Sequence, residues 1–144
     1  MENWLLFDDP RFALKFRYPG LATDGELVDR IENQQAGMLR VHILSPIGRE
    51  IYFEVSKYEA LTAEAEYQRH KEYLLKQFHP LEITELINTP FASLPACRYT
   101  FEWDQGERTV ILVERGDATY RIIYNPRFPV NLRILSTVEW IDLQ

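Results

Sequence analysis

The segment from Arg108 to Tyr124, RTVILVERGDATYRIIY, constrains the fold most, because two apolar strands flank a single glycine. Gly116-Asp117 can form a two-residue hairpin loop, since glycine readily takes the positive φ that such a turn needs. A slip of one residue would move every apolar side chain to the wrong face. The sequence therefore predicts a hairpin in which the glycine serves the turn, and the Arg-Gly-Asp at this turn has no predicted role of its own. The predicted register sets these residues opposite one another: Val113 and Tyr120, Ile111 and Ile122, Thr109 and Tyr124, Glu114 and Thr119, Leu112 and Arg121.

The strand before this hairpin, Ala96 to Trp103, is expected to extend the same sheet. A three-residue loop at Asp104-Gln105-Gly106 would set Phe101 opposite Thr109, Tyr99 opposite Ile111, and Glu102 opposite Arg108. This register predicts one continuous apolar face. Its members are Cys97, Tyr99, Phe101, Trp103, Ile111, Val113, Tyr120, Ile122 and Tyr124. The reverse face would carry Arg98, Glu102, Arg108 and Arg121.

Alternation of apolar and polar residues also predicts a strand at Phe12 to Tyr18, which Pro19-Gly20 ends. Elsewhere the apolar period changes to about 3.6 between Glu59 and His79, which predicts a helix, with Thr62 as an alternative start. The remaining elements of the prediction are strands at Met38 to Leu44, Glu50 to Ser56 and Leu81 to Ile87, a loop at residues 21–36, and a second helix capped by Asn131, with Ile134, Val138 and Ile141 aligned.

Two amphipathic helices can cover both faces of one sheet. The sequence therefore predicts an α+β fold: a three-layer α/β/α sandwich around a mainly antiparallel sheet of six to seven strands. Residues 1–144 are expected to form a single domain, which is long enough to bury a core.

Charge and cysteine content exclude some functional classes. The formal net charge is -6, which disfavours a nucleic-acid partner, because that affinity rests on clustered Lys and Arg. No apolar run approaches the ~20 residues that span a bilayer, and no basic segment precedes the apolar stretch at residues 4–7. Cys97 is the single cysteine, so no intrachain disulfide can form. These features predict a cytoplasmic protein without a membrane span.

No set of residues has the pattern of a catalytic, metal or cofactor site. Cys97 begins an apolar strand away from any predicted base, which favours a small buried hydrophobe over a nucleophile. His42, His70 and His79 lack metal-ligand spacing with one another or with the cysteine. Neither a glycine-rich phosphate loop nor a Gly-x-Ser-x-Gly elbow is present. We therefore predict no catalytic residue, no metal and no cofactor, and we expect the polar groups to close turns and cover surfaces.

A surface is the remaining candidate for a binding site. Arg98, Glu102, Arg108 and Arg121 share one face in the predicted register. They could form a cross-strand charge network that keeps an uncovered part of the sheet hydrated, or a recognition patch at the open end of the sheet. These four residues are the candidate binding residues.

The order of elements resembles a known superfamily. An opening Phe-x-Leu-x-Phe-x-Tyr-Pro strand (Phe12 to Pro19) is followed by two strands, a long helix, four strands and a terminal helix of the Leu-Arg-Ile-Leu-Ser-Thr-Val kind. Over almost the whole chain this is similar to the PsbP-like superfamily, which includes PsbP, the Ran-release factor and bacterial proteins of unassigned role. The resemblance implies an α/β/α sandwich that works in binding or assembly, and it carries no site residue over to this chain.

Two functions follow from these observations. The first is a non-enzymatic cytoplasmic binding or assembly module that acts on a protein partner. The alternative is a carrier of a small apolar ligand, with a cavity between sheet and helix. An enzyme would need a pocket that holds at least two titratable groups of displaced pKa. Homo-oligomerisation stays open, because edge strands could pair between chains or loops could guard them.

Overall fold

The computed structural model describes residues 4–20, 28–33, 38–44, 50–59, 62–78, 81–104 and 106–142. Those residues form eleven strands and two helices. The strands are β1 (Trp4–Asp9), β2 (Leu14–Pro19), β3 (Val28–Asn33), β4 (Met38–Leu44), β5 (Tyr52–Glu59), β6 (Glu82–Ile83), β7 (Ile87–Asn88), β8 (Cys97–Trp103), β9 (Gly106–Arg115), β10 (Ala118–Tyr124) and β11 (Glu139–Trp140). The helices are α1 (Ala63–Gln77) and α2 (Pro129–Ser136).

Eight strands form the main sheet, in the order β3-β4-β5-β10-β9-β8-β6, with β7 also paired to β8. The second sheet has the order β1-β2-β11. Every pairing between described strands is antiparallel. The predicted α+β fold with a mainly antiparallel sheet is confirmed, and the main sheet has one strand more than the larger number expected.

The main sheet has a hydrophobic core on each face. Helix α1 packs on one face, where Tyr67 and Leu74 meet Tyr99, Val110 and Leu112. The small sheet and α2 together cover the other face. There the ring of Phe16 lies 4.8 Å from that of Phe7 and 5.1 Å from that of Phe53. The result is a three-layer arrangement in which the small sheet shares a layer with α2.

The predicted hairpin has the predicted register. Val113 pairs with Tyr120, Ile111 with Ile122, and Leu112 with Arg121. Gly116 takes a φ of 62°, in the left-handed region that favours glycine. Helix α1 is also confirmed, and it uses the alternative start: Thr62 Oγ1 accepts a hydrogen bond from Ala65 N at 3.1 Å.

The predicted register between β8 and β9 is wrong by one residue. Trp103 pairs directly with Gly106, whose φ is 107°, so two residues rather than three lie between the strands. Phe101 therefore faces Arg108, and Tyr99 faces Val110. This shift places Tyr99 and Phe101 against α1, on the face opposite Ile111 and Tyr120. The predicted continuous apolar face is thus divided between the two cores.

Three further expectations differ from the structure. Residues 21–36 were expected to form a loop, but β3 lies within that range and pairs with β4. The strand β1 has no counterpart in the prediction, since no alternation was assigned before Phe12. Asn131 does not cap α2, because the helix begins at Pro129 and Asn131 is buried in its first turn. Its side chain instead accepts from Tyr52 N at 3.0 Å and donates to the carbonyl of Glu50 at 2.8 Å, which ties α2 to β5. His79, the predicted end of the first helix, lies outside the described residues.

Candidate functional site

A cleft of about 470 Å³ opens between α1 and the main sheet. Strands β4, β5, β8 and β10 supply one side, because alternate residues of a strand project to the same face. Residues one turn apart on α1 supply the other side. The lining residues are Arg40, His42, Tyr52, Glu54, Tyr58, Arg69, His70, Tyr73, Leu74, Phe78, Phe101, Trp103, Arg121 and Ile123.

Three buried charges form a network beneath the cleft, and two of them, Glu54 and Arg121, line it. Arg121 donates from Nη2 to Glu54 Oε1 at 3.2 Å and from Nη1 to Glu66 Oε1 at 3.0 Å. Glu66, on α1, also accepts hydrogen bonds from Nε and Nη2 of Arg69, at 2.7–3.1 Å. The guanidinium of Arg121 thus links strand β5 to helix α1, which packs on the same face of the main sheet. A buried charge is tolerated only when it is paired in this way.

Glu54 has five donors around its carboxylate. Tyr52 Oη and Ser56 Oγ donate at 3.1 and 3.3 Å, while Arg40 Nε and His42 Nε2 lie at 3.2 and 3.3 Å. Arg121 is the fifth. Burial alone would raise the pKa of Glu54, but the contacts with His42, Arg121 and Arg40 outweigh it and hold the pKa well below its usual range. Glu54 is therefore a carboxylate at neutral pH.

His70 lies deeper on the same wall. Its Nδ1 forms a hydrogen bond with Tyr99 Oη, and its ring packs edge-on against Phe101 at 5.6 Å between centroids. Burial lowers the pKa of His70 to about 3, and the charge of Arg121 acts in the same direction. The ring is therefore neutral at pH 7.

The rim of the cleft is cationic and aromatic. The Arg69 side chain is 54% exposed and the Arg40 side chain 25%, whereas the carboxylates of Glu54 and Glu66 lie beneath them. Tyr73 is 55% exposed on α1. At the far end Phe78 and Trp103 pack edge-on, with 4.4 Å between their ring centroids. What reaches solvent is a set of guanidinium and aromatic groups.

Arg121 Nε and Trp103 Nε1 are among the buried polar atoms of the cleft that have no hydrogen-bond partner within the described residues. A buried N–H group that stays without a partner costs about 1–3 kcal/mol.

The structure separates the four predicted binding residues into two pairs. Arg108 and Arg121 lie on the α1 face, where both are buried. The guanidinium carbon of Arg108 lies 4.4 Å from the ring centroid of Tyr52, so Arg108 packs against a residue that lines the cleft. Arg98 and Glu102 are exposed on the opposite face, paired with Ile111 and Glu107. The one-residue error in register had placed the two pairs on one face, and the binding role of Arg98 and Glu102 stays a prediction.

The expectation that polar groups only close turns and cover surfaces is wrong for this cleft. The sequence analysis did not identify Glu54 or Glu66, and it considered His70 only as a metal ligand. A signal was present: Glu66 and His70 are spaced i, i+4 within the apolar stripe that also holds Tyr67 and Leu74, so the stripe that packs on the sheet carries two polar groups. Polar side chains at such positions need partners across the interface.

A second, larger pocket of about 960 Å³ lies beside the start of α1. Its walls are mainly apolar, with Leu94, Ala96 and Leu112 among them. Cys97 also lines it and donates from Sγ to Asn88 Oδ1 at 3.3 Å. Burial raises the pKa of the Cys97 thiol, which disfavours the thiolate.

Within the described parts of the chain, no group of three or more His, Cys, Asp and Glu side chains is placed to hold a metal ion. Neither α1 nor α2, the helices of those same parts, has the length and apolar content that a bilayer crossing requires.

Comparison with known proteins gives the fold. No protein-family model matches the sequence, and no curated protein sequence matches it. Among solved structures, cyanobacterial PsbP (CyanoP) from Synechocystis sp. PCC 6803 is similar at a TM-score of 0.60 and 12% identity, over 97% of this chain and 94% of that one. A crystal structure from Bacteroides thetaiotaomicron VPI-5482 is similar at a TM-score of 0.54 and 12% identity, over 99% of this chain but 50% of that one, so this chain spans about half its length. At such identity the likeness concerns the fold alone, and that fold is PsbP-like.

Proposed function

We propose that this chain is a non-enzymatic cytoplasmic binding module that docks a protein partner on the cleft between α1 and the main sheet. The observation that carries the proposal is the rim, where guanidinium and aromatic groups face solvent above buried carboxylates. Tyr, Trp and Arg are the residues that most often dominate the energy of protein interfaces. A cleft of about 470 Å³ is suited to receive one or two anchor side chains of a partner.

The titratable groups of the cleft support binding rather than catalysis. An acid or base catalyst works best with a pKa near the working pH. Here the pKa of His70 is lowered to about 3 and that of Glu54 lies well below its usual range. Burial and the neighbouring Glu54 raise the pKa of Tyr52. These pKa values are displaced, as an enzyme site would require, but they are displaced away from neutrality.

Tyr73 provides the test. It is exposed, and its truncation leaves the ion cluster intact. We expect Tyr73→Ala to weaken the complex with the partner by about tenfold or more, because a central aromatic anchor contributes this much. The tagged chain would be purified from its native host, the enriched protein identified by mass spectrometry, and the affinity of the purified pair measured by calorimetry.

Leu132→Ala is the matched control, because Leu132 is 45% exposed on α2, in the layer on the other side of the main sheet. It should leave the affinity unchanged. A partner that binds Tyr73→Ala as tightly as the parent chain would reject docking at the cleft. Charge reversal of Arg98 tests the predicted patch separately, since its face is opposite the cleft.

A carrier of small apolar ligands is the second candidate, and the larger pocket favours it. Its volume of about 960 Å³ and its walls of Leu94, Ala96 and Leu112 suit an apolar molecule. A bound ligand raises the melting temperature as its concentration exceeds Kd. A thermal-shift series with medium-chain and long-chain fatty acids should raise Tm if this candidate is right, and an unchanged Tm across the series rejects it.

A further inference from the structure

The positive groups of the cleft lie nearer to solvent than the negative ones, and this arrangement indicates the chemistry of its partner. The carboxylates are buried, with Glu66 0% and Glu54 6% exposed, while the guanidinium groups of Arg40 at 25% and Arg69 at 54% lie nearer to solvent. A group that approaches from outside therefore meets cations first. Both carboxylates are already surrounded by donors, so they repel an incoming anion less than isolated carboxylates would.

The formal charge of the cluster is also positive. Three arginines (Arg40, Arg69, Arg121) against two glutamates (Glu54, Glu66) leave one positive charge among the described side chains of the cluster, with His42 and His70 counted as neutral. The chain as a whole carries -6. Clefts that carry charge of one sign concentrate groups of the opposite sign, so this cleft favours an anion although the chain as a whole is acidic.

Arg69 is the residue best placed to bind that anion. Its contacts with Glu66 use Nε and Nη2, and its side chain is still 54% exposed at the rim. The guanidinium is fixed in place by this fork and by the ring of Tyr58, which it covers at 4.9 Å. A pre-oriented guanidinium loses little entropy when it binds a carboxylate.

The aromatic groups beside it define the neighbour of the anion. Tyr73 lies one turn from Arg69 on α1, and the Phe78–Trp103 pair closes the same cleft. These rings offer apolar area to a side chain next to the anionic one.

We infer that the partner presents an exposed acidic segment in which an Asp or Glu is adjacent to a large apolar residue, with the carboxylate at Arg69 and Arg40 and the apolar side chain against Tyr73. This inference rests on the proposed function and names the chemistry of its partner.

Selection of random 12-residue peptides displayed on phage against the full chain tests the inference. The selected peptides should be enriched in Asp or Glu next to Phe, Trp, Leu or Met. One such peptide would be synthesised with a fluorophore, together with its amide version (Asp→Asn, Glu→Gln), and titrated by fluorescence anisotropy. We expect the amide version to bind about tenfold more weakly, and the affinity of the acidic peptide to fall as salt rises from about 50 to 500 mM. Selection of basic peptides, or of apolar peptides without acids, would overturn the inference.

Arg69→Gln and Lys76→Gln form a matched pair of variants. Each removes one positive charge from α1, but Lys76 pairs with Glu72 on the exposed side and does not line the cleft. Arg69→Gln should lower the affinity for the acidic peptide by about tenfold, and Lys76→Gln should lower it by less than about twofold. Arg69→Lys keeps the charge and the pairing with Glu66, so it replaces Arg69→Gln in the test if that variant folds poorly. Its affinity for the acidic peptide should lie between those of the parent chain and Arg69→Gln.

The natural partner separates this inference from the proposed function. If Tyr73→Ala abolishes binding of the partner, but Arg69→Gln and high salt leave its affinity unchanged, the partner docks at the cleft without an acidic segment, and only this inference is rejected. If neither variant changes the affinity, both this inference and docking at the cleft are rejected.

Discussion

Mild acid is expected to destabilise the protein through His70. The residue is 7% exposed, its Nδ1 bonds to Tyr99 Oη, and its ring packs against Phe101. Burial holds its pKa at about 3, against an ordinary value of 6.5. In the unfolded chain the ring is in water and takes up a proton near the ordinary value.

The sign of the effect follows from proton binding. Between pH 6.5 and about 3 the unfolded chain carries a proton on His70 that the folded chain does not. The unfolded state is therefore stabilised relative to the folded state as pH falls. The stability due to His70 is complete above pH 6.5 and declines through this window, by about 1.4 kcal/mol for each pH unit. From pH 6.5 to pH 5 the loss from this one group is about 2 kcal/mol, a large fraction of the ~5–15 kcal/mol of a typical domain.

Urea unfolding at 25 °C, followed by tryptophan fluorescence, measures this loss. The free energy of unfolding would be obtained by linear extrapolation at pH 7.0, 6.5, 6.0, 5.5 and 5.0. His70→Gln cannot take up the proton and can still bond to Tyr99, so its free energy of unfolding should fall by about 2 kcal/mol less than that of the parent chain between pH 6.5 and 5. The window stays above 4.5, the ordinary pKa of Glu54, so protonation of that carboxylate contributes little to the loss.

Tyr99→Phe separates burial from hydrogen bonding. It removes the hydroxyl that contacts His70 but keeps the ring. Because burial is the largest cause of the lowered pKa, the parent pH dependence should persist in this variant. If the pH dependences of the parent chain and His70→Gln superimpose, His70 is not held neutral by the fold and the reasoning is wrong.

Two further changes test the buried charges and the hairpin. Arg121→Met should lower the free energy of unfolding by about 3 kcal/mol, since Glu54 and Glu66 keep some donors but lose their shared cation; a loss below about 1 kcal/mol in urea unfolding would show that the ion cluster contributes little. Gly116→Ala should cost about 1–2 kcal/mol because the residue has a φ of 62°, while Asp117→Ala in the same turn serves as its control; equal stability of the two variants would contradict the role of the glycine.

The sequence predicts the β9–β10 hairpin correctly because two independent constraints agree there. Glycine at position 116 sets the loop, and the alternation of the flanking strands sets the faces. Helix α1 is predicted from its apolar period, which would start it near Glu59, but the Thr62 cap, given as the alternative start, sets the observed boundary. Where local turn chemistry and hydrophobic pattern coincide, register and boundaries follow from the chain itself.

The β8–β9 register could not be predicted in this way, because two loop lengths are compatible with the same residues. Gly106 can end a three-residue loop or open the next strand, and both arrangements give an apolar face. The structure selects the second, since Trp103 pairs with Gly106 and then packs against Phe78 at the end of α1. That contact is tertiary, so local sequence carries no information about it.

The cleft is harder to predict than either hairpin, because its charges come from four separate elements. Glu54 and Arg121 become neighbours through the pairing of β5 with β10, in which Arg121 lies opposite Ser56 and Glu54 opposite Ile123. Helix α1 then adds Glu66 from above. Each of these residues alone resembles a solvated charge on an amphipathic element, and only the order of strands in the sheet brings them together. A polar residue on an apolar stripe is therefore the feature to pursue in such a sequence, because it requires a partner from another element before the helix can pack. In this chain the ion pair with Glu66 that satisfies this requirement also holds the guanidinium of Arg69 at the solvent-exposed rim of the cleft.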